Sequence, residues 1–268
     1  MPLEQTRNSK IRDFFKKPVD GLAAFLVKKF PNLTADHITY TGSALVTVGA
    51  LVRTISEIFE EDNALASLGL IAFGVCLDGL DGAVARQKKP NDDSSHGVIV
   101  DVLNDRAQES ILALSRIVTA SMRQDLLGVL TAASAGLTNP LPSLIRAIAE
   151  RNGVVVAESG KNPLSFFGTR LGRTFLATTA TVYPETNVPL IEEPMQPFLD
   201  GLTTFANISS TIERVVQLFK KRNEAFQLDQ NSRKIADEKA KALILFSLIN
   251  TTVMISAGVV GILASMRR

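Results

Sequence analysis

Six stretches free of Asp, Glu, Lys and Arg punctuate this chain and leave few options for its fold. They cover residues 37–52, 63–77, 126–145, 174–184, 201–212 and 242–266. A helix needs about 20 mostly apolar residues to cross a bilayer. Only 126–145 and 242–266 reach that length unaided, so hydropathy alone leaves the other four undecided. The placement of positive charge decides them. Lys and Arg crowd into residues 1–37, 86–96, 146–173 and 214–241, which together hold 23 of the 29 in the chain. Between these lie base-poor segments, 53–62 and 117–125 with one base each and 184–200 with none. Basic and base-poor segments alternate without a break. The positive-inside tendency places the basic ones in the cytoplasm. This predicts seven spans, near 38–58, 63–86, 97–119, 124–145, 171–190, 197–219 and 242–266. The N-terminus would then be cytoplasmic and the C-terminus outside.

Composition narrows the function classes. Hydrophobic residues make up 46% of the 268 and charged residues 21%, which excludes a disordered chain. A single cysteine, Cys76, excludes a disulfide scaffold and a CxxC site. His37 and His96 are the only histidines, too few for a His-rich metal cage. The formal charge of +2 gives no reason to expect a nucleic-acid partner. The N-terminus has no apolar core with a small-residue cleavage site, so it does not read as a signal peptide. From Lys10 to Phe30, Ile11, Phe14, Phe15, Leu22, Phe25 and Leu26 recur at helical spacing among lysines. This predicts an amphipathic helix lying on the membrane surface, with Pro18 as a point where it would divide in two.

The chemistry lies in residues 78–105, which read DGLDGAVARQKKPNDDSSHGVIVDVLND. Asp78 and Asp81 are spaced i and i+3; Asp101 and Asp105 are spaced i and i+4. Each pair therefore shares one helix face. Both pairs fall near the cytoplasmic ends of adjacent spans joined by a short basic loop, and antiparallel packing brings the four together. Carboxylates inside a membrane are costly without compensation. Divalent cations supply it, and an all-oxygen ligand set favours Mg²⁺, Mn²⁺ or Ca²⁺ over Zn²⁺. Gly79, Gly82 and Gly97 lie among the acids, and Arg86 could hold a phosphate oxygen by a charge-assisted bond. Acids, glycines and an arginine together suit a metal-bound diphosphate. A cation transporter that binds its ion at the aspartates is the alternative from another class.

The segment resembles the signature of the CDP-alcohol phosphatidyltransferase family, D-x-x-D-G-x-x-A-R-x(n)-G-x-x-x-D-x-x-x-D. Asp78, Asp81, Gly82, Ala85, Arg86, Gly97, Asp101 and Asp105 fill its fixed positions. The resemblance implies an all-α polytopic membrane bundle of six core spans, mostly found as homodimers. The span at 242–266 would be an addition to it. The corresponding division is a cytoplasmic N-terminus over 1–36, a membrane domain over 37–220, a charged linker helix over 221–241 and the extra span over 242–268. Implied too is the displacement of CMP from a CDP-linked alcohol, commonly CDP-diacylglycerol, by a hydroxyl acceptor. By the same resemblance Asp78, Asp81, Asp101 and Asp105 hold two Mg²⁺ or Mn²⁺ ions, and Asp105 is also the general base. Gly82 and Arg86 contact the diphosphate, with Ser94 in the loop among the donor contacts. Residues 35–42, ADHITYTG, resemble the family's P-(N/D)-x-(V/I)-T-x-x-G, with Ala35 in place of proline. Asp36 and Thr39 would then face the cytidine. His37 reads better as a helix-entrance residue than as a catalyst.

Residues 143–150, SLIRAIAE, resemble a stretch of the phosphatidylinositol-phosphate synthase branch. In that branch, bases matching Arg146, Arg173 and Arg214 hold the acceptor's phosphate. Ile148 stands where the branch has a further arginine, which leaves glycerol phosphate or another phosphorylated polyol open as the acceptor. Serine or a lipid alcohol is the non-phosphorylated alternative. The setting implied is the inner membrane, with the active site at its cytoplasmic face.

Overall fold

The computed structural model describes residues 10–60, 63–88, 95–156, 170–182, 195–225 and 227–266. Every regular element among them is helical. The helices are α1 (Lys10–Lys29), α2 (Ala35–Phe59), α3 (Ala64–Lys88), α4 (Ser95–Met122), α5 (Leu126–Thr138), α6 (Leu141–Arg151), α7 (Arg170–Val182), α8 (Met195–Lys220) and α9 (Gln230–Ser265). Three of these, α2, α3 and α9, are long and apolar enough to cross a membrane. The amphipathic α1 runs through Pro18 as one helix instead of dividing there.

The span expected over 124–145 is broken into α5 and α6, and the reason is local. Pro140 has no N–H to give to the carbonyl of Gly136. That carbonyl instead accepts from Asn250 Nδ2 of α9 at 2.9 Å. Asn139, at the break, exchanges bonds with Arg106 of α4: its Oδ1 accepts from Arg106 Nη1 at 2.9 Å, and its Nδ2 donates to the Arg106 carbonyl. The separate linker helix and final span expected after residue 220 are likewise not separate. From Gln230 to Ser265 the chain is one 36-residue helix, capped by Asp229, whose side chain accepts from the Ser232 N–H. No Gly or Pro lies between Gln230 and Ala242, and Ala, Glu and Lys there favour continuation.

The molecule is inside-out relative to a water-soluble bundle. Leu51, Phe73, Phe198, Phe205, Leu248 and Val260 face outward, whereas Arg53, Arg106, Arg116 and Asp200 are buried. An apolar surface over a polar interior is what a hydrocarbon solvent selects. The chain is an integral membrane protein.

Three sets of contacts hold the helices together. α2 packs against both α3 and α4. Its seam with α3 is tight: a Cβ at Gly42 would lie 2.8 Å from the Gly74 carbonyl, and one at Gly74 would lie 2.6 Å from the Gly42 carbonyl. α1 docks on α3 through Ala23, which is buried among Ile38, Leu80, Ala83 and Val84. α9 packs on α4, α5 and α6. Its Gly258 faces Ala133, and its Gly261 faces Ser121 and Val129, with Val259 and Val260 turned outward.

Candidate active site

Asp78 and Asp81 lie on α3, one helical turn apart, and Asp101 lies at the end of the second turn of α4. Their carboxylate oxygens come together: one oxygen from each lies within 4.8 Å of the other two. Asp105, one turn further along α4, is buried and lies outside this group of three. Asp101, Arg106, Glu109 and Arg173 are all within electrostatic reach of it.

Asp81 is held from two sides. Its Oδ2 accepts from the Thr39 hydroxyl of α2, and its Oδ1 accepts from the Gly82 N–H. Thr39 itself is placed by the start of α2. Thr34 caps that helix, and Thr34 and His37 form a reciprocal capping box. His37 is thus occupied at the helix entrance. Asp36, in the same first turn, is within electrostatic reach of Asp81.

Among the described residues, nothing covers α3 beside the acids. A Cβ at Gly79 would meet nothing within 4 Å, and one at Gly82 would meet only Arg86 Nη1, at 3.6 Å. Arg86, one turn after Gly82, therefore has Nη1 over that glycine, and its Nη2 bonds Asp20 Oδ1 of α1 at 2.9 Å. Three clustered carboxylates that are each acceptors only fit a hard divalent cation. The bare edge and the arginine fit a polyanion next to it.

The bases expected on the acceptor side have three different partners. Arg146 Nε pairs with Glu150 Oε1 at 2.8 Å, and Lys239 of α9 takes the other oxygen of Glu150 at 2.7 Å. Those two cations hold the Glu150 carboxyl below its ordinary range against the opposing effect of burial. Arg173 is buried with its Nε 3.5 Å from Glu109 Oε1. Arg214 Nη1 donates 2.5 Å to the Pro142 carbonyl at the start of α6. Ser94 lies outside the described residues.

Sequence reasoning missed a polar string next to the aspartates. The Ser43 hydroxyl of α2 donates to Asn104 Oδ1 and accepts from Gln108 Nε2 of α4. Asp101, Asn104, Asp105 and Gln108 recur every three or four residues, and that polar stripe was the available signal. Arg106 and Glu109, paired at 2.7 Å, were missed too.

A family model for CDP-alcohol phosphatidyltransferases matches residues 32–193, more than half of the chain. The chain belongs to the CDP-alcohol phosphatidyltransferase family. It is accordingly a membrane-embedded transferase of the phosphatidyl type, using a CDP-linked alcohol. The match to the phosphatidyltransferase family takes in α2 through α7 and all four aspartates, and leaves α1, α8 and α9 outside. No curated protein and no solved structure matches the chain.

Proposed function

We propose that the protein transfers a phosphatidyl group from CDP-diacylglycerol to the hydroxyl of a small phosphorylated alcohol and releases CMP. The meeting of Asp78, Asp81 and Asp101 within 4.8 Å, beside the bare edge of α3 and Arg86, carries this reading. These three carboxylates would hold Mg²⁺ or Mn²⁺, and Asp105, one turn further along α4, would serve a second ion. Bound metal supplies neutralisation of the diphosphate charge.

The protein groups do the rest. Arg86 binds a diphosphate oxygen over Gly82, which has no side chain to obstruct it. Thr39 fixes the Asp81 carboxylate and, with Asp36, receives the nucleotide; Ser94 is assigned to the same donor role by the family signature alone. Asp105 accepts the proton of the acceptor hydroxyl. The acceptor oxygen forms a bond to the phosphorus nearer the lipid. The bond from that phosphorus to the CMP oxygen breaks, and CMP leaves with the electron pair. Arg173, within electrostatic reach of Asp105, binds the acceptor's phosphate. Arg146 and Arg214 complete that side from α6 and α8. The reaction runs at the cytoplasmic face of the inner membrane, where the basic segments lie, and the enzyme works as a homodimer.

The test is CMP release from CDP-diacylglycerol by the purified protein with glycerol 3-phosphate, inositol phosphate, inositol, glycerol and serine in turn. We expect release that requires Mg²⁺ or Mn²⁺ and is faster with a phosphorylated acceptor than with its unphosphorylated parent. Release that survives exhaustive chelation would overturn the metal role. Equal rates with and without the acceptor phosphate would overturn the acceptor class.

A further inference from the structure

We propose that Asp20, on the amphipathic α1, is a positioning residue for the donor site, acting through Arg86. This rests on the reading that Arg86 binds the donor's diphosphate. Asp20 precedes Ala23 by three residues, so both lie on one face of α1. Ala23 is fully buried against α3, which fixes that face toward the helix bearing Asp78, Asp81 and Arg86. The joint is closed a second time where Lys88 Nζ bonds the Pro31 carbonyl in the turn between α1 and α2.

The geometry divides the guanidinium into two edges. Nη2 is taken by Asp20 at 2.9 Å, and Nη1 lies over Gly82. An arginine side chain has many rotamers, and a planar fork held at one edge has its other edge aimed. Asp20 thus keeps Nη1 on the aspartate side of α3 before the donor arrives. The pair has little to do with stability: the side chains are 45% and 30% exposed, and exposed ion pairs contribute at most about 1 kcal/mol. Asp20 lies before the matched region, on a helix whose sequence points only to membrane attachment. The inference makes α1 part of the donor site as well.

The full-length protein is assayed as wild type, Asp20→Asn, Asp20→Glu, Arg86→Lys and the Asp20→Asn/Arg86→Lys double variant. Initial rates are taken across CDP-diacylglycerol concentrations, and thermal unfolding is followed in the same detergent. Asp20→Asn is expected to raise the donor KM about five- to tenfold with kcat and Tm nearly unchanged. Asp20→Glu should recover most of the affinity, and Asp20→Asn should add little once Arg86 is Lys. An active wild type with an unaltered donor KM in Asp20→Asn removes the inference and leaves the proposed function standing. The same follows if the KM change comes with a lowered Tm or persists undiminished in the Arg86→Lys background. A wild type that releases no CMP with any acceptor removes both.

Discussion

Asp101 and Asp105 are one turn apart on the same helix, yet their surroundings differ. Asp101, partly buried, joins Asp78 and the buried Asp81, whereas Asp105 has Arg106, Glu109 and Arg173 about it. The first arrangement suits a metal ligand; the second, with Arg173 nearby, suits the proposed proton acceptor. Asp105→Asn keeps the shape and removes the basic oxygen. It is expected to lower kcat by at least about a hundredfold while Tm is retained, as steady-state kinetics beside thermal unfolding would show. Wild-type turnover in that variant would take the role of base away from Asp105. The spacing of these acids was readable because i, i+3 and i, i+4 are properties of one helix. The Thr39–Asp81 bond and the Asp20–Arg86 pair were not, because they join residues 42 and 66 positions apart.

Between elements, the glycines have unequal roles. Gly42 and Gly74 let α2 and α3 meet backbone to backbone, and this contact brings Thr39 to Asp81. Leucine at position 74 has no room. Gly74→Leu is expected to destabilise by about 1–3 kcal/mol or more, with loss of activity, because backbone atoms must move. Gly69, on the outer side of the same helix, meets nothing within 4 Å of its Cβ position. Gly69→Ala should therefore leave Tm unchanged or slightly raised. Parallel unfolding of the two variants checks both outcomes, and equal effects would refute the seam. The break between α5 and α6 is a similar case. Pro140 foretells a disturbed helix, but nothing local foretells that Asn250, 114 residues from Gly136, supplies the missing donor.

At the level of the whole molecule, a second set of buried charges lies away from the aspartates. Arg116 of α4 pairs with Asp200 of α8 at 2.9 Å and bonds the hydroxyl of Thr181 and the carbonyl of Ala177 on α7. Arg53 of α2 reaches the Thr181 carbonyl. One network thus ties four helices. Asp200→Leu leaves a buried cation alone and is expected to cost about 3–5 kcal/mol, with most of it recovered in Arg116→Leu/Asp200→Leu. Denaturation of the single and double variants in detergent measures this; a double variant as unstable as the single would show that the charges are needed for more than each other.

Sequence alone determined the helical class, the course of most helices and the spacing of the four aspartates. Hydrophobic runs, charge alternation and helical spacing are written along the chain itself. Tertiary structure decided which acids converge, that α5 and α6 divide while α9 runs on unbroken, and that α1 reaches Arg86. Those outcomes depend on which helix faces supply partners to one another across long separations, and a linear pattern does not encode that pairing.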